Sequence, residues 1–194
     1  LGMPGETDET VEQSASFIAG LRYTLGLDAQ ISDPFWAMAV SGTPLYEYSQ
    51  QIGAIGKTID EEEEYLYRIS EGKTDLWNYI NKTDSNIIDI YFWKLLFNLE
   101  GKRAYLKLLR GSKTNLRDKL ELIYKKILYP EFKNLIRLFK YRKFRLFAQI
   151  FGLINYTLNV LNLFLPRSIV YPIAKQWSKL DFMRLKLIHG KAGK

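Results

Sequence analysis

The 194-residue chain contains no cysteine. That absence excludes disulfides, a thiol nucleophile and a cysteine-ligated zinc or iron–sulfur centre within these residues. A single histidine, His189, argues against a His-rich metal cluster or a Ser-His-Asp triad. Acidic residues are scarce in one half only. Residues 101–194 carry four Asp/Glu against 22 Lys/Arg, a net +18, whereas residues 1–100 carry 17 against six, a net −11. From Leu146 to Leu165 there is no charge of either sign. Hydrophobic residues make up 47% of the chain and aromatics 14%, enough for a core, which excludes global disorder. A half as basic as the second seeks phosphate, on a membrane surface or on nucleic acid.

Gly2-Met3-Pro4-Gly5-Glu6-Thr7 has the form of a turn that takes a strand, represented by Leu1, into a helix. Thr7 is a suitable N-cap, and Asp8, Glu9 and Glu12 place negative charge where the helix dipole favours it. Val11, Ala15, Ile18 and Leu21 follow at helical spacing. Ala29 to Val40, with Ile31, Phe35, Trp36, Met38 and Val40, reads as holding a strand. Ser41-Gly42-Thr43-Pro44 is a turn whose proline suits the first turn of a helix over Leu45 to Ile52. The first 56 residues thus have the rhythm of a βα repeat.

Beyond residue 60 the periodicity is helical. Asp60 and Glu61 to Glu64 form a solvated acidic face. Ile87, Ile88, Tyr91, Leu95 and Leu99 line a helix near 84–109, and Leu116, Leu120, Ile123 and Ile127 line another that Pro130 should stop. A third starts near Glu131. The pattern predicts segments at 1–58, 59–110 and 111–194. Asn81-Lys82-Thr83 and Asn155-Tyr156-Thr157 match the glycosylation acceptor pattern by chance.

Two segments together resemble the radical S-adenosylmethionine enzymes: Leu1-Gly2-Met3-Pro4-Gly5-Glu6-Thr7 and, about 35 residues later, Ser41-Gly42-Thr43-Pro44-Leu45-Tyr46-Glu47. They are similar to the turns after the fifth and sixth strands of that superfamily's partial (β/α)6 barrel, in the group with a cobalamin (B12)-binding domain. Prolines common before the second Gly-Thr are replaced here by Ala39 and Ser41. The resemblance implies an α/β fragment, the last βα units of a partial TIM-like barrel, followed by a mainly helical C-terminal region, mostly α overall. It implies S-adenosylmethionine and a [4Fe–4S] cluster as cofactors, with cobalamin as a further one, the cluster and cobalamin sites lying upstream. Gly2, Met3 and Pro4 would then lie near the cofactor's adenosine, and Trp36 and Met38 would face a small-molecule or lipid-like substrate. No catalytic residue and no metal ligand is expected in this chain, so the parent enzyme would abstract hydrogen or transfer methyl groups while this fragment alone stays inactive.

The tail admits other functions. Lys140, Arg142, Lys143 and Arg145 crowd together with Tyr141 and Phe144 before the uncharged run. Twenty uncharged residues make about 30 Å of helix, roughly a bilayer core. Yet Asn155, Asn159 and Asn162 recur at i, i+4 and i+7 on one face, and basic residues flank both ends. An in-plane helix fits better than a span. Residues 131–190 are therefore expected to meet an anionic membrane surface, placing the protein in the cytoplasm and peripherally at the inner face of the membrane. A tRNA-modifying radical enzyme with a basic nucleic-acid-binding tail and a non-enzymatic, membrane-surface helical adaptor are the alternatives.

Overall fold

The computed structural model describes residues 1–30, 34–70, 79–112, 115–141 and 146–189. Ile31 of the expected strand and Arg142, Lys143, Phe144 and Arg145 of the basic run lie outside the described residues. Helices α1 (Asp8–Thr24), α2 (Pro44–Gln51), α3 (Ile59–Ser70), α4 (Ile87–Gly111), α5 (Leu116–Ile123), a π-helical segment (Tyr124–Leu128), α6 (Tyr129–Tyr141), α7 (Leu146–Phe164) and α8 (Arg167–His189) follow in order. The chain divides into two compact units: residues 1–7 with 34–91, and residues 8–33 with 92–194.

No strand occurs among the described residues, and this overturns the expectation of α/β units from a partial TIM-like barrel. The chain is a helical protein. The physical reason lies in where the backbone groups of residues 34–40 go. Leu1 makes one rung with them: the Ala37 N–H donates to the Leu1 carbonyl at 2.7 Å, and the Leu1 amino group donates to the Phe35 carbonyl at 2.5 Å. The ladder stops there. The Ala37 carbonyl accepts from the Ile80 N–H at 2.8 Å. The Tyr65 hydroxyl takes both polar groups of Ala39, accepting from its N–H at 2.9 Å and donating to its carbonyl at 3.0 Å. Groups that a second strand would pair are thus satisfied by a side chain and an irregular segment.

In the first unit, Ala39, Tyr46, Ile55, Tyr65 and Ile80 form the core, with Leu45, Leu66 and Ile69 packed against it. Helix α2 starts as its sequence requires. The Thr43 hydroxyl caps the Tyr46 N–H, and Pro44 occupies the first turn, where an N–H has no helical acceptor. Helix α3 starts with a capping box. Glu61 accepts from the Lys57 and Thr58 N–H groups at 2.7 and 3.2 Å, and the Thr58 hydroxyl accepts from the Glu61 N–H. The acidic face is not wholly given to solvent: Glu62 accepts from the Tyr46 hydroxyl and from Gln50.

Helix α4 runs from the first unit into the second, and its residues from Phe92 onward supply much of the second unit's core. Trp93, Leu96, Leu99 and Tyr105 are fully buried there and Leu95 half-buried; Ile87, Ile88 and Tyr91, in the first unit, are half-buried too. Helix α1 lays Val11, Ala15 and Ala19 against the core and leaves Phe17 and Leu21 exposed. Pro130 does not stop the helical run as its sequence predicts. The π turn before it shifts the register, with the Tyr129 N–H reaching back to the Tyr124 carbonyl. Pro130 has no N–H to offer the Lys126 carbonyl, and that carbonyl accepts instead from the Ala29 N–H at 2.7 Å.

Candidate functional site

Helix α7 is uncharged throughout, so hydrogen bonding alone orients its polar stripe. Asn162 is 1% exposed; its amide donates to the Leu99 carbonyl at 2.7 Å, and its side-chain oxygen accepts from Arg103 at 2.7 Å. Asn159 accepts from the Lys102 ammonium at 2.8 Å. Lys102 is itself buried and paired with Glu131 of α6 at 2.9 Å. Asn155 accepts from the Trp177 indole of α8 at 2.8 Å. One polar stripe therefore ties α7 to α4 and α8, and through Lys102 to α6. Phe151 packs on Trp177 with ring centroids 4.5 Å apart and carries the Arg184 guanidinium 4.1 Å above its ring.

A helix that turns its amides inward must turn something else outward. Among the described side chains of α7 the exposed ones are Leu146, Ile150, Leu153, Thr157, Leu161 and Phe164, spaced at helical intervals. Phe164 is 67% exposed and Leu146 66%. Leu158 and Leu163 are buried beside Asn159 and Asn162, so the inward face is mixed while the outward row is almost wholly apolar. The neighbours also leave apolar rows in solvent: Phe132, Ile136 and Phe139 on α6, and Ile169, Ile173, Leu180, Met183 and Leu187 on α8. Each of those rows has a basic row beside it, Lys133, Arg137 and Lys140 on α6 and Lys175, Lys179 and Lys186 on α8. Helix α6 packs on α7, and α7 on α8. Gly152 makes the first of these contacts close, because a Cβ there would collide with the end of Leu138.

The start of α8 is braced by ionic contacts. Arg167 pairs with Glu12 of α1, stands 3.8 Å from Glu100 of α4, and stacks over the Tyr171 ring at 4.5 Å. Burial pushes the Glu100 carboxyl above its ordinary range, and the Arg103 guanidinium opposes that shift. No helix among the described residues is long and apolar enough to cross a membrane.

The residues expected to touch a cofactor lie elsewhere, in the first unit. Gly2 is buried with φ +100°, and a Cβ there would stand 3.0 Å from the Ile80 carbonyl and 3.2 Å from the Tyr79 ring. Its glycine is required by the close approach of this neighbouring segment. The Gly2 and Met3 N–H groups donate to the Glu6 carboxylate at 2.6 and 3.1 Å, and the Gly2 carbonyl accepts from the Lys82 N–H. Met3 and Pro4 are exposed. Trp36 is half-buried, stacked on Tyr91 at 6.0 Å and tilted against Tyr79 at 6.4 Å. Met38 is half-buried as well. Among the described residues no three His, Asp or Glu side chains converge as metal ligands would. Comparison with protein-family models, with curated proteins and with solved structures yields no match.

Proposed function

We propose that residues 129–189 form a docking face for an anionic membrane surface. The function this favours is the non-enzymatic, membrane-surface helical adaptor. One observation carries it: α7 spends its amides on interior hydrogen bonds and leaves Leu146, Ile150, Leu153, Leu161 and Phe164 in solvent. Water does not stabilise such a row, since fully burying a Leu, Ile or Phe side chain is worth about 1.5–3 kcal/mol. The rows on α6 and α8 extend the apolar surface, and the lysines and arginines beside them select anionic headgroups, each worth about 1 kcal/mol near such a surface. The anionic leaflet of most membranes is the cytoplasmic one, so the reading places the chain peripherally at the inner face. Nucleic acid is served less well, because a phosphate-tracking groove has no use for a row of bulky aliphatic residues.

Flotation of the full chain with vesicles is the direct test. The protein should float with vesicles containing anionic lipid and stay behind with purely zwitterionic ones. Substituting Leu153→Gln together with Phe164→Gln should reduce flotation without altering helix content, because both side chains are already exposed. No flotation on anionic vesicles would sink the proposal. Self-association that the same double variant abolishes, with no vesicle binding, would assign the face to a second copy of the chain instead.

A further inference from the structure

Within this face α7 offers apolar surface alone, whereas α6 and α8 offer basic rows as well as apolar ones, and the difference has a functional consequence. It rests on the membrane reading just given. Helix α7 carries no charge from Leu146 to Leu165, so nothing on it attracts an anionic surface from a distance. Helices α6 and α8 carry rows of lysine and arginine on their exposed sides. Electrostatic attraction acts over a Debye length, about 8 Å at physiological salt, whereas burial of apolar surface begins only at contact.

We infer that docking proceeds in two separable steps, recruitment by the basic rows of α6 and α8 and then shallow insertion of α7, so that firm binding requires loosely packed acyl chains as well as anionic headgroups. Insertion is shallow because the opposite face of α7 is held to α4 and α8 by Asn155, Asn159 and Asn162. Of α7, the outward row alone can enter, to the depth of about 5–10 Å that interfacial helices reach. The residues that enter are bulky, and a tightly packed saturated leaflet has no room for them.

The experiment uses the full chain and vesicles of equal anionic content made from either unsaturated or saturated lipids. Protein is bound at low salt and then challenged with about 1 M NaCl, where the Debye length is about 3 Å. On unsaturated vesicles the bound protein should resist the salt; on saturated vesicles it should be released. Leu153→Gln with Phe164→Gln should still bind unsaturated vesicles at low salt but be released by the challenge. Lys175→Gln with Lys179→Gln should weaken binding by about 30-fold at low salt, and what does bind should resist release. Equal release of wild-type protein from both vesicle types would overturn the two-step inference and leave the membrane reading standing. Absence of binding to any anionic vesicle would overturn both.

Discussion

Helix α3 in the first unit buries Tyr65 and turns Asp60, Glu61, Glu63 and Glu64 to solvent. Helix α7 in the second buries Asn159 and Asn162 and turns Leu153 and Phe164 to solvent. Both helices have two unlike faces, but α3 sends its polar groups outward whereas α7 sends its amides inward, beside Leu158 and Leu163, and an apolar row outward. The difference comes from the polar groups. A carboxylate without a partner stays in water because its desolvation is expensive. A neutral amide is cheaper to desolvate, and it enters the interior when every bond it loses is replaced there. Helix α4 supplies those replacements: the Leu99 carbonyl, Lys102 and Arg103 all face α7. A polar stripe is therefore not proof of a solvent face, and an apolar stripe is not proof of a core.

The comparison is broken most severely at Asn162. Asn162→Leu removes the acceptor of Arg103 and the donor to the Leu99 carbonyl and leaves a part-buried guanidinium without that partner. A loss of about 3 kcal/mol is expected in urea unfolding. A neutral or stabilising outcome would mean that α7 does not depend on its interior amides. The matching change in the first unit is Tyr65→Phe, which strips the Ala39 N–H and carbonyl of their shared hydroxyl. It should cost about 2 kcal/mol by the same measurement. If Tyr65→Phe proved worse than Asn162→Leu, the ranking of the two units' polar interiors would reverse.

The smallest effect sharpens the first unit alone. The bond to Glu62 pushes the Tyr46 phenol up to about 12, and burial does the same to Tyr79. A phenol whose value is raised on folding favours the folded state while it is protonated. That contribution is complete below about pH 10, the ordinary tyrosine value, and fades as the pH rises through about 12. Phenolate absorbance should accordingly rise in two waves, the later one accompanied by loss of helix. Tyr46→Phe should diminish the later wave. A single wave near pH 10 in protein that keeps its helix content would contradict the arrangement.

The helices were largely legible from spacing and caps. Thr43-Pro44 marks the start of α2, and the apolar periodicity of residues 87–109 marks α4. The strand expected within residues 29–40 was not legible as an irregular segment, because alternation of Phe35, Trp36 and Met38 says nothing about ladder partners. Tyr65 and Ile80, 26 and 43 residues away from the backbone groups they meet, take those partners' place. Pro130 misled for a similar reason: the proline penalty was met by a π turn and by a donor at Ala29. The Asn155, Asn159 and Asn162 stripe was visible at once. That it faces inward was not, since the deciding groups sit on α4 and α8 at sequence distances of 22 to 63 residues.

Composition and local pattern were enough to set the helical character of the second half, its excess of positive charge and the two-faced nature of α7. Those properties depend on residues within a few turns of one another. The direction in which α7 faces depends on whether distant donors and acceptors are in place to receive its amides, and that is a property of packed helices, not of the segment. Because the interior receives the amides, Leu146, Ile150, Leu153, Leu161 and Phe164 of α7 are left at the surface, and the proposed docking face lies there.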